Sequence, residues 1–378
     1  MDTHRLAPAQ EPAVKLYLYF ARRFARTLLW MFALFAALSA LLEMIETLRL
    51  FSATGIGLLE IIRLTLLRVP GGLYQILPLV VILSTLVMFL SLARSSELVV
   101  VRAAGRSALT MLLAPVAVAL LLGAGAVAVF NPIVAATSKQ YEQLSNRYLK
   151  GGDSVLSVSP EGLWLRQGDS AGQVVIRASR SSPDGTELTD VSFFGFDRNG
   201  VARFRIDAAA ARLVPGAWRI ESARRWRFAP GENPESSAES LARLDLPSAL
   251  TPARIRDGFG APSTIPIWEL PAFIEQLKQA GFSARRHQIW LQGELAQPLL
   301  LATMVMIGAG FTMRHSRFGH TGLMVLTAVM LGFGLYFVRN FAHILGENGQ
   351  IPVLLAAWAP PFAGLLLALG FLLHVEDG

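Results

Sequence analysis

The sequence predicts a membrane α-helical protein with six transmembrane helices, interrupted midway by an all-β domain that stands outside the membrane. Three observations predict it. Of 378 residues, 53% are hydrophobic and only 16% charged, with a mean hydropathy of +0.46. A soluble domain is rarely so apolar with so few charges. The apolar residues gather into runs of roughly twenty, the length at which a helix crosses a bilayer. Between the third and fourth runs, residues 151–288 turn polar and alternate apolar with polar side chains, the period of half-buried strands. The chain therefore divides into a first membrane half, 1–150, a β domain, 151–265, and a linker helix with a second membrane half, 266–378.

The first apolar run, about 27–50, follows Lys15, Arg22, Arg23 and Arg26. A secretory signal has a similar layout, and Ala37-Leu38-Ser39-Ala40 resembles a cleavage site. The run extends well past that tetrapeptide and begins late, so it reads as an uncleaved helix with a cytoplasmic amino end. The second run covers 73–92 and reaches back toward Glu60, with kinks expected at Pro70-Gly71-Gly72 and Pro78. Membrane helices tolerate such residues where neighbours satisfy the freed backbone groups. After a short polar loop, 94–107, the third run spans 109–130 and ends at Asn131-Pro132. An amphipathic stretch, 137–150, leads into the β domain.

Leu163-Trp164-Leu165-Arg166, Gln173-Val174-Val175-Ile176-Arg177 and Val201-Ala202-Arg203-Phe204-Arg205-Ile206 read as strands. Turn sequences separate them: Pro183-Asp184-Gly185, Asp197-Arg198-Asn199-Gly200 and Pro215-Gly216. Trp164, Val175, Phe194, Phe204, Ile206 and Trp218 are the candidate inward positions, which either fill a core or line a groove for acyl chains. Residues 230–262, rich in Pro, Ser, Gly and Glu, read as an irregular region. A helix starts within Pro266-Ile267-Trp268-Glu269-Leu270 and stops at Gly281. Runs at 291–313, 323–342 and 353–374 complete the six spans.

Loop charges predict the sidedness. Arg22, Arg23 and Arg26, then Arg94, Arg102 and Arg106, then Arg314 and Arg317 fall on the side of the amino terminus. The opposite short loops mix Arg49 and Arg63 with Glu46, Glu60 and Glu347. Positive loops stay in the cytoplasm, which places the β domain outside it, in the periplasm of a bacterium. The net charge of +7 does not point to nucleic acid, because acids and bases nearly cancel within 151–288. The excess lies among the membrane helices, where it orients them and meets anionic lipid. The absence of cysteine excludes disulfides and decides nothing about compartment.

No catalytic arrangement is visible. The six histidines are scattered without metal-ligand spacing, and no G-x-x-x-x-G-K-[ST] occurs. Energy-driven work by this chain therefore requires a nucleotide bound by another one. Gly123-Ala124-Gly125 lies inside a span, where small residues serve helix packing. Two stretches invite a function. Arg94 to Arg106 is short and amphipathic and ends in Gly105, as a helix lying across the membrane face would; a plain hairpin connection with cytoplasmic charges is the simpler reading. Glu43, Glu46, Arg49 and Arg68 are ionisable residues near the outer ends of the early helices, placed to meet a lipid headgroup or each other.

These features together resemble the LptF/LptG (YjgP/YjgQ) permease family of the lipopolysaccharide-export ABC transporter, nearest its LptG branch. The resemblance covers nearly the whole chain. Its most specific local match is Ser96-Glu97-Leu98-Val99-Val100-Val101-Arg102-Ala103-Ala104-Gly105, similar to the family's coupling helix. Gly162-Leu163-Trp164 at the start of the β domain also matches, as do Gly349-Gln350-Ile351-Pro352 and Trp358-Ala359-Pro360. The resemblance implies a β-jellyroll insert and an inner-membrane location with a periplasmic domain. It implies a heterodimer with LptF on two copies of the ATPase LptB, which holds ATP and Mg while this chain binds no cofactor. Ser96, Glu97, Leu98, Arg102, Ala103 and Gly105 would seat in the ATPase. Lipopolysaccharide would enter through a gate at the first and fifth helices and pass through the β domain to LptC and LptA. Where relatives often carry a basic residue in the first helix, this chain has Glu43, and Arg49 or Arg68 would meet the phosphates instead. On composition alone the alternative is a membrane-anchored scaffold whose β domain binds partners without moving lipid.

Overall fold

A computed structural model describes residues 11–52, 55–103, 105, 107–149, 156–159, 162–168, 172–182, 184–228, 233–248, 250–252, 255, 261–313 and 321–377. The chain forms two compact units, one of Met1–Glu142 with Ile289–Gly378 and the other of Gln143–Gln288. The first unit is helical. Its elements are α1 (Glu11–Phe51), α2 (Leu58–Arg94), α3 (Glu97–Ala103), α4 (Ala108–Gly125) and the first part of α5 (Asn131–Leu149). After the insert come α7 (Arg285–Leu295), α8 (Gln297–Thr312), α9 (Thr321–Glu347) and α10 (Val353–Asp377), while α6 (Leu270–Gln279) belongs to the second unit.

Among the described residues five helices are long and apolar enough to cross a membrane: Lys15–Phe51, Leu58–Arg94, Leu109–Ser145, Gly322–Glu347 and Val353–His374. Helices α7 and α8 taken together are also long and apolar enough, although bent by 49° at their break. Six spans result when that pair counts as one. Helix α2 continues through Pro70 and Pro78. The third span likewise does not stop at Asn131-Pro132. A π-helical turn, Ala126–Phe130, joins α4 to α5, and the Asn131 N–H reaches back to the Ala126 carbonyl. That wider turn lets the ladder pass Pro132, which has no N–H to give.

Helices α2 and α8 form the centre of this unit. Val80, Val81, Phe89 and Leu92 on α2, and Leu301, Met304, Val305 and Ala309 on α8, are completely buried. A side chain at Gly123 would place its Cβ 2.4 Å from the Pro298 Cα, so only glycine lets α4 approach α8 there. Helices α1 and α9 are different. Trp30 is 74% and Phe337 70% exposed, and among the described residues both helices carry rows of exposed large apolar side chains.

The second unit contains a seven-stranded antiparallel sheet in the order β1-β2-β3-β4-β5-β6-β7, each strand pairing with the next in sequence. The strands are β1 (Leu156–Ser159), β2 (Gly162–Gly168), β3 (Gly172–Ser181), β4 (Glu187–Asp197), β5 (Ala202–Val214), β6 (Ala217–Arg227) and β7 (Glu239–Pro247). This is a meander. One face is closed: Leu163, Leu165, Ile176, Ala178, Leu188, Val191, Phe193, Ile206, Trp218 and Ile220 are buried. Strand β1 is short, and beyond it the Gln167 side chain of β2 donates to the Pro247 carbonyl at 3.2 Å and accepts from the Ser248 hydroxyl at 2.6 Å. The sheet therefore curls until its two margins touch at one end.

A crease crosses the sheet. Pairing omits Ser179, Asp190, Ala209, Ser222 and Ala242 from β3 to β7, one residue per strand on a single line. Asp190 and Ser222 have φ of 49° and 54° there. Inward positions step by three across the line, from Leu188 to Val191 and from Ile220 to Ala223, instead of by two. The left-handed residues turn the chain so that the same face stays inward on both sides of the bend.

Candidate functional site

The first candidate site lies where α2 meets α3. Ser95 caps α2 through its backbone N–H, which donates to the Ser91 carbonyl at 3.1 Å, and Ser96 turns the chain at φ 59°. Helix α3 starts at once with Glu97, and Val99 and Val100 bond back to the Ser96 carbonyl. Leu98 is buried at 6% exposure and anchors the short helix to the core, whereas Val99 and Val100 are 57% and 68% exposed. Ala103 is exposed at its end, and Gly105 takes φ 74°, where L side chains rarely fit. Arg102 is helical, but its side chain, like Ala104 and Arg106, lies outside the described residues, as do Arg314 and Arg317.

Glu97 is engaged within its own chain. Its carboxylate accepts from the Tyr19 hydroxyl at 2.6 Å, from Arg23 Nη1 at 2.8 and 2.9 Å, and from the Ser95 hydroxyl at 2.7 Å. Arg23 also donates to Ser91 at 3.0 Å and to Tyr19. The Tyr19 hydrogen bond, with those of Ser95 and Arg23, holds the Glu97 carboxyl down at about 2. The carboxylate is therefore ionised at any physiological pH.

The second candidate, the charged set of α1 and α2, is only partly brought together. Glu43 and Arg68 form an ion pair of 2.9 Å, about a fifth and a third exposed. No N–H points along that contact, and the oxygen involved has no aligned hydrogen bond. The Arg68 guanidinium also lies 5.3 Å over the Tyr141 ring. Glu46 and Arg49 are exposed.

The third candidate, the inward face of the sheet, is divided by the strand register. Phe204, Ile206 and Trp218 share the closed face with Leu165, Ile176 and Phe193. Trp218 packs edge-on to Phe193 at 6.3 Å, and a Cβ at Gly195 would lie 2.2 Å from the Phe204 ring. Trp164, Val175 and Phe194 sit on the opposite face. That face is a lattice of arginine and aromatic rings: Arg177 over Trp164 at 5.7 Å, and Arg205 over Phe194 at 5.6 Å and over Trp226 at 5.5 Å. Strand alternation carried the signal, since Trp164 shares its face with Arg166 and Val175 shares its face with Arg177.

A polar cluster that sequence reasoning missed lies in the helical unit. The Tyr74 hydroxyl donates to Glu294, Asn131 bonds into the same group, and the Arg339 charge faces Glu294. Glu294 is 3% exposed, and neighbouring His343 packs where a side chain at Gly293 would go. Glu294 beside the bend of α7 and α8, and Asn131 beside the π turn, tie together two broken helices. The detectable signal was an acid and an arginine inside otherwise apolar spans.

An apolar helical unit of several spans, an antiparallel β unit inserted between its halves and a short amphipathic helix after the second span define a membrane permease with an inserted β domain. The family model described as "Lipopolysaccharide export system permease LptF/LptG" matches residues 18–374. This chain belongs to that family. It is 24% identical to the lipopolysaccharide export system permease protein LptG of Escherichia coli strain K12 over 94% of this chain and 97% of that protein. It is 23% identical to the protein of the same name from Haemophilus influenzae, over 90% of this chain and 93% of the relative.

Proposed function

We propose that this chain is an LptG-like permease subunit that draws lipopolysaccharide from the bacterial inner membrane and hands it toward the outer membrane. It pairs with LptF and sits on an LptB dimer, which binds ATP and Mg and supplies the work. The observation that carries this reading is α3. Its buried Leu98 fixes it to the helical core while Val99 and Val100 face away, an apolar surface fit for a cytoplasmic partner. The chain itself has no nucleotide-binding loop.

In this reading the β unit is periplasmic and relays acyl chains to LptC and LptA as a curled meander sheet, in place of the Greek-key connections of the jellyroll the family resemblance implied. Its interior is filled by its own side chains, so an acyl chain must displace them or part the margins. At one end those margins are bridged by the two hydrogen bonds of Gln167. Two such bonds contribute about 1 kcal/mol each. Left in water, a chain of roughly a dozen methylenes would cost about 0.8 kcal/mol apiece, so the sheet has to shield it. The chain leaves a bilayer in which it is already buried, so opening the seam is work that the ATPase supplies. Trp218, Phe204 and Ile206 line the path. Glu43 with Arg68 closes the upper part of the α1–α2 contact, where a phosphate would compete for the guanidinium.

Reconstitution of the chain with LptF, LptB and LptC in lipopolysaccharide vesicles tests the reading. ATP should release lipid to added LptA, and Val99→Asp with Val100→Asp should weaken recovery of LptB by about tenfold or more. A complex that keeps LptB but hydrolyses ATP without regard to lipid would favour the scaffold alternative.

A further inference from the structure

We propose that Glu294 and Arg339 are positioning residues that latch α9 to the last turn of α7, and that release of this latch parts the two helices to let lipid through. The inference rests on the permease reading above and assigns to it the groups that control the opening.

Two apolar stretches each carry a single Asp, Glu, Lys or Arg, and the two are of opposite sign. Between Gln288 and Met313 that residue is Glu294, and between Thr321 and Gly346 it is Arg339. An ionisable residue inside a span is costly and persists where a partner or a cavity receives it. Here the two are brought to one place. Glu294, 3% exposed, accepts from the Tyr74 hydroxyl of α2, and the charge of Arg339 acts on the same carboxylate. Glycines show how close α9 comes. A Cβ at Gly293 would lie 2.6 Å from the His343 ring, and one at Gly346 would lie 2.8 Å from Ile289. Gly332, Arg339, His343 and Gly346 follow helical spacing and form one stripe of α9 toward the bundle. Phe333, Phe337, Phe341 and Ile344 stand exposed beyond it.

The acid of the pair sits at a hinge. Glu294 lies just before Ala296, where the chain breaks and α8 leaves at 49°. Asn131, in the same cluster, follows the π turn. Helices bend where their hydrogen-bond ladder is interrupted. On the same turn of α7, Gln292 accepts from the Trp358 indole of α10 at 3.0 Å. The end of α7 therefore gathers α2, α9 and α10, and its hold on α9 includes opposite charges. Such charges attract strongly in a dry, low-dielectric bundle and weaken as soon as water or an ionic headgroup enters. That makes the contact firm at rest and releasable in transport.

Distances between α2 and α9 in the assembled complex with LptF and LptB provide the test. Ile82 meets Gly332 and Tyr74 shares the cluster of Arg339, so the two helices run antiparallel. The chain has no cysteine, so introduced ones are labelled without background. Spin labels at Leu59→Cys and Asn348→Cys report on the end nearer the latch, and labels at Val87→Cys and Leu323→Cys report on the other. In the unaltered complex the first distance should be narrow without nucleotide and lengthen during ATP turnover. Glu294→Gln with Arg339→Gln removes both charges and leaves neither without its counterpart. That double variant should broaden the first distance without nucleotide, leave the second unchanged and cut lipid released per ATP by about tenfold. Glu294→Lys with Arg339→Asp reverses the pair and should restore the narrow distance, and release to within about threefold. A first distance that never lengthens in turnover overturns the proposal, as does a wild-type distance or wild-type release from the double Gln variant. Spreading at both ends, or failure of the reversed pair to restore release, also overturns it by making the charges a requirement of folding alone. If the wild-type complex hydrolyses ATP without releasing lipid, the permease reading fails instead, and the two distances still decide whether the pair holds α9.

Discussion

Glu97 illustrates how one side chain's surroundings fix its behaviour with pH. Its carboxyl is held at about 2, below the ordinary 4.5, first by the Tyr19 hydroxyl and then by Ser95 and Arg23. A depressed folded value means its contribution is complete above the ordinary value and is lost as pH falls through about 2. The distance between spin labels at Arg22→Cys on α1 and Ala103→Cys on α3 should therefore stay constant from about pH 8 to pH 5 and spread only in stronger acid. Spreading near neutrality would show that another group controls the junction. Gly195 makes a second case at this scale. A methyl group there would enter the space of the Phe204 ring, 2.2 Å from its nearest atom. Gly195→Ala should destabilise the β unit of the full chain by about 1–3 kcal/mol, read by urea unfolding followed through tryptophan fluorescence.

At the scale of elements, the sheet crease is where local preference and tertiary demand conflict. Asp190 and Ser222 carry positive φ although neither is glycine. The conformation costs an L residue roughly 1–2 kcal/mol, and Asp relieves part of it through its side chain. Ser222→Gly should therefore raise the stability of the β unit by about 1 kcal/mol, and Ser222→Val should lower it. Equal midpoints for the two variants would mean the crease is not strained. The same line explains why a strict alternation of inward and outward residues fails along these strands: the parity reverses at the bend. The π turn before Asn131 plays the comparable role in the helical unit, carrying a helix past a proline that sequence rules read as its end.

For the molecule as a whole, the long first helices dominate. Each candidate span of 37 residues extends about 55 Å at 1.5 Å per residue, against a hydrocarbon core of about 30 Å. The surplus must lean or project from the bilayer, which is where Tyr19, Arg23 and α3 are expected. Orientation is testable on the intact cell. A single cysteine at Asn199, exposed in the β unit, should react with an impermeant maleimide from outside the inner membrane. One at Ala103 should react only after that membrane is opened. The reverse pattern would remove the transport reading altogether.

The sequence by itself determined the apolar spans, the strands and the position of α3. Each is written locally, in hydropathy runs, in alternation or in turn residues, and such signals add up along the chain. The tertiary structure alone decided which groups meet. Glu97 finds Arg23 across 74 residues and Glu294 finds Tyr74 across 220, and no period in the sequence encodes such pairs. It also decided which aromatic rings face inward. Trp164 and Phe194 look as apolar as Phe193 and Trp218 when read singly, but strand register sends them to the face where arginines cover them. Local chemistry specifies elements, while contact partners depend on how those elements close upon one another.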